Sequence, residues 1–194
     1  QQWRNIWDYS GGKLTDWGAH LLDTAQVAMC QENGGPLEIN GKGVFPKDAM
    51  STTATEYEVE YRYPNDVIVN VKSGGTGIRF EGTGGWVSCP EWRSSLEASS
   101  PAIMEAVIDP KENKLWKQPS SEHVDFINAV KNRTKTTYPP EDIHCLSTAM
   151  HLGNISMRLN RPLKSDATTQ TIPGDEEAAT YMSCPIREPW TFDI

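Results

Sequence analysis

Residues 55–63 read TEYEVEYRY, and their alternation decides the fold class. Thr55, Tyr57, Val59, Tyr61 and Tyr63 fall on one side of an extended chain; Glu56, Glu58, Glu60 and Arg62 fall on the other. A period of two marks a strand with one packed face and one face that is wet or covered by polar contacts. Pro64-Asn65-Asp66 supplies turn chemistry, and Val67 to Lys72 returns as an antiparallel partner. Gly74-Gly75 leads to Ile78-Arg79-Phe80-Glu81, and Gly82-Thr83-Gly84-Gly85 turns the chain into Trp86-Val87-Ser88. The pattern predicts a meander of at least four strands. Upstream, Leu37 to Phe45 reads as a short strand with a glycine kink.

Helical patterns stand on both sides of these strands. The first is predicted over Leu14 to Met29, after the Ser10-Gly11-Gly12 break and before Asn33-Gly34-Gly35-Pro36. Ser120 or Ser121 can cap a second helix carrying Val124, Ile127 and Val130. After Tyr138-Pro139-Pro140 a longer helix is predicted over Glu141 to Asn160, carrying Ile143, Leu146, Ala149, Met150, Ile155, Met157 and Leu159. The tail from Ser165 is polar, with one short helix expected near Asp175 to Met182. Helix, strands, then helices gives an α+β domain: a mostly antiparallel open sheet with helices on one face.

The 194 residues fit one domain, 1–194, and can bury a core without staples. A net charge of -8 and the absence of a Lys/Arg cluster argue against a nucleic-acid or anionic-membrane surface, which would need a basic patch. No apolar run approaches the roughly 20 residues of a membrane span. Cys30, Cys89, Cys145 and Cys184 are scattered without a C-x-x-C, so half-buried free thiols are expected rather than a zinc or redox motif. The chain opens on QQWRNIWDYS with neither an initiator Met nor a signal-peptide pattern, which leaves cytoplasm and export both open.

Several chemistries are missing from the pattern. There is no G-x-G-x-x-G between strand and helix, no P-loop and no nucleophile elbow. GTGG lies between strands and is a hairpin. What remains is SGGKLTDWGAHLLDTAQ, residues 10–26. At roughly 100° per residue, with Asp16 at zero, His20 lies near roughly 40° and Asp23 near roughly 340°. Leu14, Trp17, Leu21, Leu22, Ala25 and Ala28 spread over the other half. A carboxylate one turn before an imidazole can orient the ring for general acid–base work near neutral pH. Two other readings stand beside this one: an ordinary solvated ion pair, and a metal site, since Asp, His and Asp can ligate zinc or iron. His123, His144 and His151 lie on other helices, and no metal-binding histidine spacing occurs. His151 and Asn154 make a polar edge that reads as packing and capping, or as the border of a cleft. Seven tryptophans invite a sugar-stacking reading, but Trp17 and Trp86 sit where core residues are expected. The sequons at Asn132 and Asn154 read as chance.

The run WDYSGGKLTDWGAHLLDTAQ resembles the start of the C-terminal domain of the glucose–fructose oxidoreductase/inositol dehydrogenase/rhizopine-catabolism (Gfo/Idh/MocA) family. The matching pattern is a glycine cluster, D-x-x-x-H, then x-x-D, here Gly11-Gly12, Asp16, His20 and Asp23. The likeness continues through GVFPKD, GIRFEGTGGWV, HLGNISMRLNRPLK and REPW, and it resembles bacterial members, whose full-length forms are often exported. Ser10 replaces a third glycine. The resemblance implies a bacterial oxidoreductase acting on a sugar, sugar derivative or cyclitol hydroxyl. It implies NAD or NADP held by an N-terminal Rossmann domain that also carries an E-K-P lysine. Neither is found here, so this chain alone is expected to bind no cofactor. It further implies His20 as acid/base, Asp16 as its positioning partner, and Asp23 as a brace. Gly11, Gly12 and Lys13 would border the substrate, and the sheet face would make a homo-oligomer. The alternatives are a non-catalytic sugar-binding or assembly module, or a redox-neutral NAD-dependent glycosidase of the same family.

Overall fold

The computed structural model describes residues 2–29, 34–109, 121–184 and 186–191. TEYEVEYRY forms the central strand. Strand β1 (Glu38–Val44) pairs antiparallel with β2 (Glu56–Arg62), which pairs antiparallel with β3 (Ile68–Lys72). The register sets Ile39 opposite Tyr61 and Gly41 opposite Val59, with Val71 and Val69 beyond. Ile39, Val59, Tyr61 and Tyr63 are almost wholly buried, so one side of the alternation is the core, as its period requires. The other side carries Glu38, Lys42, Glu58, Glu60, Arg62 and Lys72.

The meander does not continue as one sheet. Strands β4 (Ile78–Gly82), β5 (Gly85–Cys89) and β6 (Glu97–Ala98) form a separate three-stranded antiparallel sheet. Gly74 adopts φ +100°, a glycine conformation, and a Cβ added there or at Gly75 would meet nothing within 4 Å. Gly77 then runs against the backbone of Pro90. The glycine link thus turns the chain out of the first ladder before β4 begins. Ile78 and Phe80 still lean on the core. Strand β7 (Leu163–Lys164) closes the first sheet beside β1, giving the order β3-β2-β1-β7.

Helix α1 (Gly12–Ala28) comes first, α2 (Pro101–Met104) follows β6, and then come α3 (Glu122–Asn132), α4 (Pro140–Leu159) and α5 (Glu176–Ala179). Helix α4 lies across β1, where a Cβ on Gly41 would stand 2.7 Å from Met157 Cγ. Ser156, on the buried side of α4, meets β1: its Oγ accepts from Gly41 N (2.8 Å) and lies 2.8 Å from Arg161 O. Helix α1 packs on α4 through small residues. Gly18 faces Met150, and Gly153 faces Leu14 and Tyr61. Buried Tyr63 donates its hydroxyl to Gln26 Oε1 (3.3 Å), tying α1 to the sheet.

Three expectations change in detail. The buried line of α1 is Leu14, Gly18, Leu22, Ala25 and Gln26; Trp17 is 37% exposed and Ala28 is exposed. Gly18 takes the closest approach to α4, which turns Trp17 off the seam. Helix α3 is capped by Ser121 Oγ, which accepts from Val124 N (3.2 Å), while Ser120 lies outside the described residues. Its Val124, Ile127 and Val130 are exposed, and only Ala129 is buried. Cys89 and Cys145 are half-buried free thiols and Cys184 is exposed; Cys30 and Asn33 lie outside the described residues.

Candidate functional site

The glycine cluster fixes where α1 begins. Gly12 has φ +71°, a left-handed conformation that disfavours any side chain, and a Cβ there would stand 2.6 Å from Thr53 Oγ1. At Gly11 a Cβ would stand 2.8 Å from Asn154 Nδ2. Buried Asn154 donates that Nδ2–H to Gly11 O (2.9 Å). The loop is thus clamped between α4 and Thr53. The same contacts bury Gly11 and Gly12 and leave Lys13 exposed. Thr52 N and Thr53 N both donate to Asn5 O, and Trp7 N donates to Thr52 Oγ1 (2.7 Å), strapping the preceding segment alongside.

With its inner side anchored, α1 presents Asp16, Trp17 and His20 to solvent. Asp16 is not joined to His20 by a hydrogen bond or ion pair. It turns instead toward Arg4, with Nε–Oδ1 3.7 Å and both side chains about half exposed (54% and 44%). At that exposure the pair is worth about 0–1 kcal/mol, so it can exchange partners readily. Asp23 is half-buried near Tyr138, whose phenol is raised by partial burial and then by the charges of Asp23, Glu122 and Asp125.

His20 has aromatic company. Its ring centre is 5.2 Å from that of Trp92, tilted 53°, and 6.0 Å from that of Trp17. The two indoles meet nearly perpendicular, 5.9 Å apart at 85°. Trp92 enters from the β5–β6 connection, far along the chain, and is 42% exposed. The sequence pattern alone does not single it out. The available signal was Glu91-Trp92-Arg93-Ser94, a large aromatic set among charges and a serine, where no apolar neighbours call for packing.

His151 sits elsewhere. It lines a groove of about 460 Å³ between α4 and the C-terminal turn, with His144, Ser147, Tyr181, Met182 and Cys184. Partial burial lowers its imidazole from the ordinary value. Asn154 and Ser156, in the second sequon, are buried. Among the described residues, no group of three or more His, Cys, Asp or Glu side chains could hold a metal ion. No described helix is long and apolar enough to cross a membrane.

A family profile described as "Oxidoreductase family, C-terminal alpha/beta domain" matches residues 1–192. No curated protein matches the sequence significantly. Among solved structures, an NAD-binding protein from Listeria innocua is similar at TM-score 0.62 and 18% identity, over 85% of this chain and 51% of its own. An aldose-aldose oxidoreductase from Caulobacter crescentus, complexed with glycerol, follows at 0.61 and 15%, with the same coverage. GenD2 from gentamicin A biosynthesis, in complex with NAD, matches at 0.53 and 16%, over 86% of this chain and 52% of its own. At these identities the likeness is one of fold, and the chain spans about half the length of each. The profile match over nearly the whole sequence, on an α+β fold shared with these structures, places the chain in the Gfo/Idh/MocA oxidoreductase family as its C-terminal α/β domain.

Proposed function

We propose that the chain is the substrate-side domain of a two-domain, nicotinamide-dependent oxidoreductase acting on a hydroxyl of a sugar, sugar derivative or cyclitol. One observation carries this reading: α1 is anchored inward by Leu14, Gly18, Leu22 and Ala25 while His20 stands open on its outer side. An imidazole held on a rigid helix is suited to exchange a substrate hydroxyl's proton. Asp16, released from Arg4, positions that imidazole or the substrate. Lys13 borders the same face, and Gly11 and Gly12 serve it by letting the loop close on Thr53 and Asn154.

The Gly11-Gly12 pair at the start of α1 does not offer a dinucleotide phosphate cradle. A phosphate cradle needs free backbone N–H groups on open glycines at a helix start. Here both glycines are packed under side chains. NAD or NADP, which supplies the hydride acceptor, would be held by an N-terminal Rossmann domain of the full-length protein. The outer sheet face would join copies of the protein.

The test is steady-state kinetics on the full-length protein with cyclic polyols, following nicotinamide absorbance. His20→Ala should lower kcat by about 10²–10⁴-fold, the usual worth of a general acid/base, and leave NADH affinity in place. Turnover within a few-fold of wild type, in a variant with an unchanged melting curve, would return His20 to ordinary helix surface. Cyclic-polyol binding without nicotinamide reduction favours the binding-module reading. Glycoside cleavage with no net reduction favours the glycosidase reading.

A further inference from the structure

Trp92 is held in place by a turn whose construction packing does not explain. Glu91 N donates to Ser94 Oγ (3.1 Å) and Ser94 N donates to Glu91 O (3.0 Å). Trp92 N donates to Thr76 Oγ1 (3.1 Å), which ties the turn to the segment before β4. Cys89 Sγ closes it from below, 3.1 Å from Glu91 O. Arg93 takes φ +65°, an uncommon conformation for a residue with a side chain. These constraints fix the backbone that carries the Trp92 indole, 42% of which stays exposed. The contacts with Trp17 and His20 stabilise the buried part of the ring, while the exposed part gains nothing for folding and is free to meet a ligand.

That point lies beside His20. Trp92 and Trp17 meet edge to face at 85° and form a corner, and His20 closes the corner 5.2 Å and 6.0 Å from the two rings. With Trp92 42% and Trp17 37% exposed, part of each indole stays open to solvent at this corner. Such surface suits a ring with one C–H-rich side, whose hydroxyls project from its rim. A ring resting on the indole brings a rim hydroxyl toward the imidazole. Arg93, its guanidinium carbon 5.9 Å from the Trp92 ring centre, adds donors for ring oxygens.

We infer that Trp92 and Trp17 form the stacking subsite for the substrate's ring, with Trp92 the specificity-determining residue. This rests on the reading of His20 given above and narrows it: cyclic substrates, pyranosides and cyclitols, are taken in preference to open-chain polyols.

The test measures binding apart from turnover. Calorimetry on the full-length protein uses methyl glucoside, myo-inositol and mannitol as probes, with Trp92→Ala, Trp92→Phe and wild type side by side. At least one cyclic probe should bind wild type more tightly than mannitol. Trp92→Ala should weaken that binding roughly tenfold, the scale of lost aromatic stacking, and Trp92→Phe should restore most of it. NADH affinity should not move. The subsite is overturned if neither cyclic probe outbinds mannitol, or if Trp92→Ala leaves its binding unchanged. It is also overturned if NADH binding falls while polyol binding holds, since the indole would then stack the nicotinamide. A cyclic polyol that binds through Trp92 without nicotinamide reduction leaves the subsite standing and sinks the oxidoreductase reading. Turnover that depends on His20 but not on Trp92 does the reverse.

Discussion

Asn154 holds the start of α1 by one buried hydrogen bond to Gly11 O, and the consequence of losing it can be stated with a sign. Asn154→Ala leaves a buried carbonyl without its donor, which costs about 1–3 kcal/mol. Asn154→Asp keeps the shape but puts an acceptor-only carboxylate against that carbonyl, so it should destabilise more. Urea unfolding checks the order: a lower midpoint for Ala, lower still for Asp, with the slope unchanged. An Asp variant as stable as wild type would show that Gly11 O has another donor. Gly12→Ala, at φ +71° against Thr53, should cost about 1–2 kcal/mol from backbone conformation before any clash is counted. At this scale the sequence was legible in part. The glycines announced a tight passage, and the i, i+4 spacing put Asp16 and His20 on one side. It did not show that Arg4 takes Asp16, nor that Gly18 rather than Trp17 faces α4. Both outcomes depend on partners distant in sequence or on the closeness of two helices.

Short elements of the tail are held by charge. Arg161, just past α4, makes a two-pronged contact with Asp175, Nη2–Oδ1 at 2.8 Å, and reaches Glu177 at 3.0 Å. Asp175 also caps α5, its Oδ1 accepting from Ala178 N (3.0 Å). Arg161 first, then the Ala178 amide, hold the Asp175 carboxyl below its usual 3.8, at about 2. A depressed folded value means the contribution is present above pH 3.8 and is lost as the pH falls through about 2. Melting temperatures of wild type and Asp175→Asn should therefore differ at pH 5 and converge toward pH 2. Asn still caps a helix, so the difference isolates the Arg161 pairing. A gap as large at pH 2 as at pH 5 would rule that pairing out as its cause. Helix α4 matches its sequence pattern within a residue at each end, because Pro139-Pro140 starts it and Asn160, at φ +51°, stops it. The parting of β3 from β4 was not legible. Strand alternation continues on both sides of Gly74-Gly75, and the separation shows only in the pairing, where β4 joins β5 rather than β3.

For the whole molecule, the open question raised by TEYEVEYRY is what covers its charged face. The register builds rows across the sheet: Lys164, Glu38 and Arg62 in one, Lys42, Glu58 and Lys72 in another. Lys72–Glu58 (2.9 Å) and Arg62–Glu60 (3.0 Å) pair within the face. Glu38, Glu56, Glu58 and Glu60 balance Lys42, Arg62, Lys72 and Lys164, so the face is neutral although the chain carries -8. A neutral, alternating face can meet its own copy about a two-fold axis, acid against base, without the repulsion the rest of the surface would impose. Val44 and Ile68, both exposed on this side, supply apolar contact. Light scattering at tens of micromolar should find the full-length protein as a dimer or larger. Glu58→Lys combined with Glu60→Lys makes the face positive and should release monomers, with little change in protomer melting because exposed pairs are worth about 0–1 kcal/mol each. A wild type that stays monomeric at that concentration, or a double variant that stays assembled, would place the contact elsewhere on the molecule.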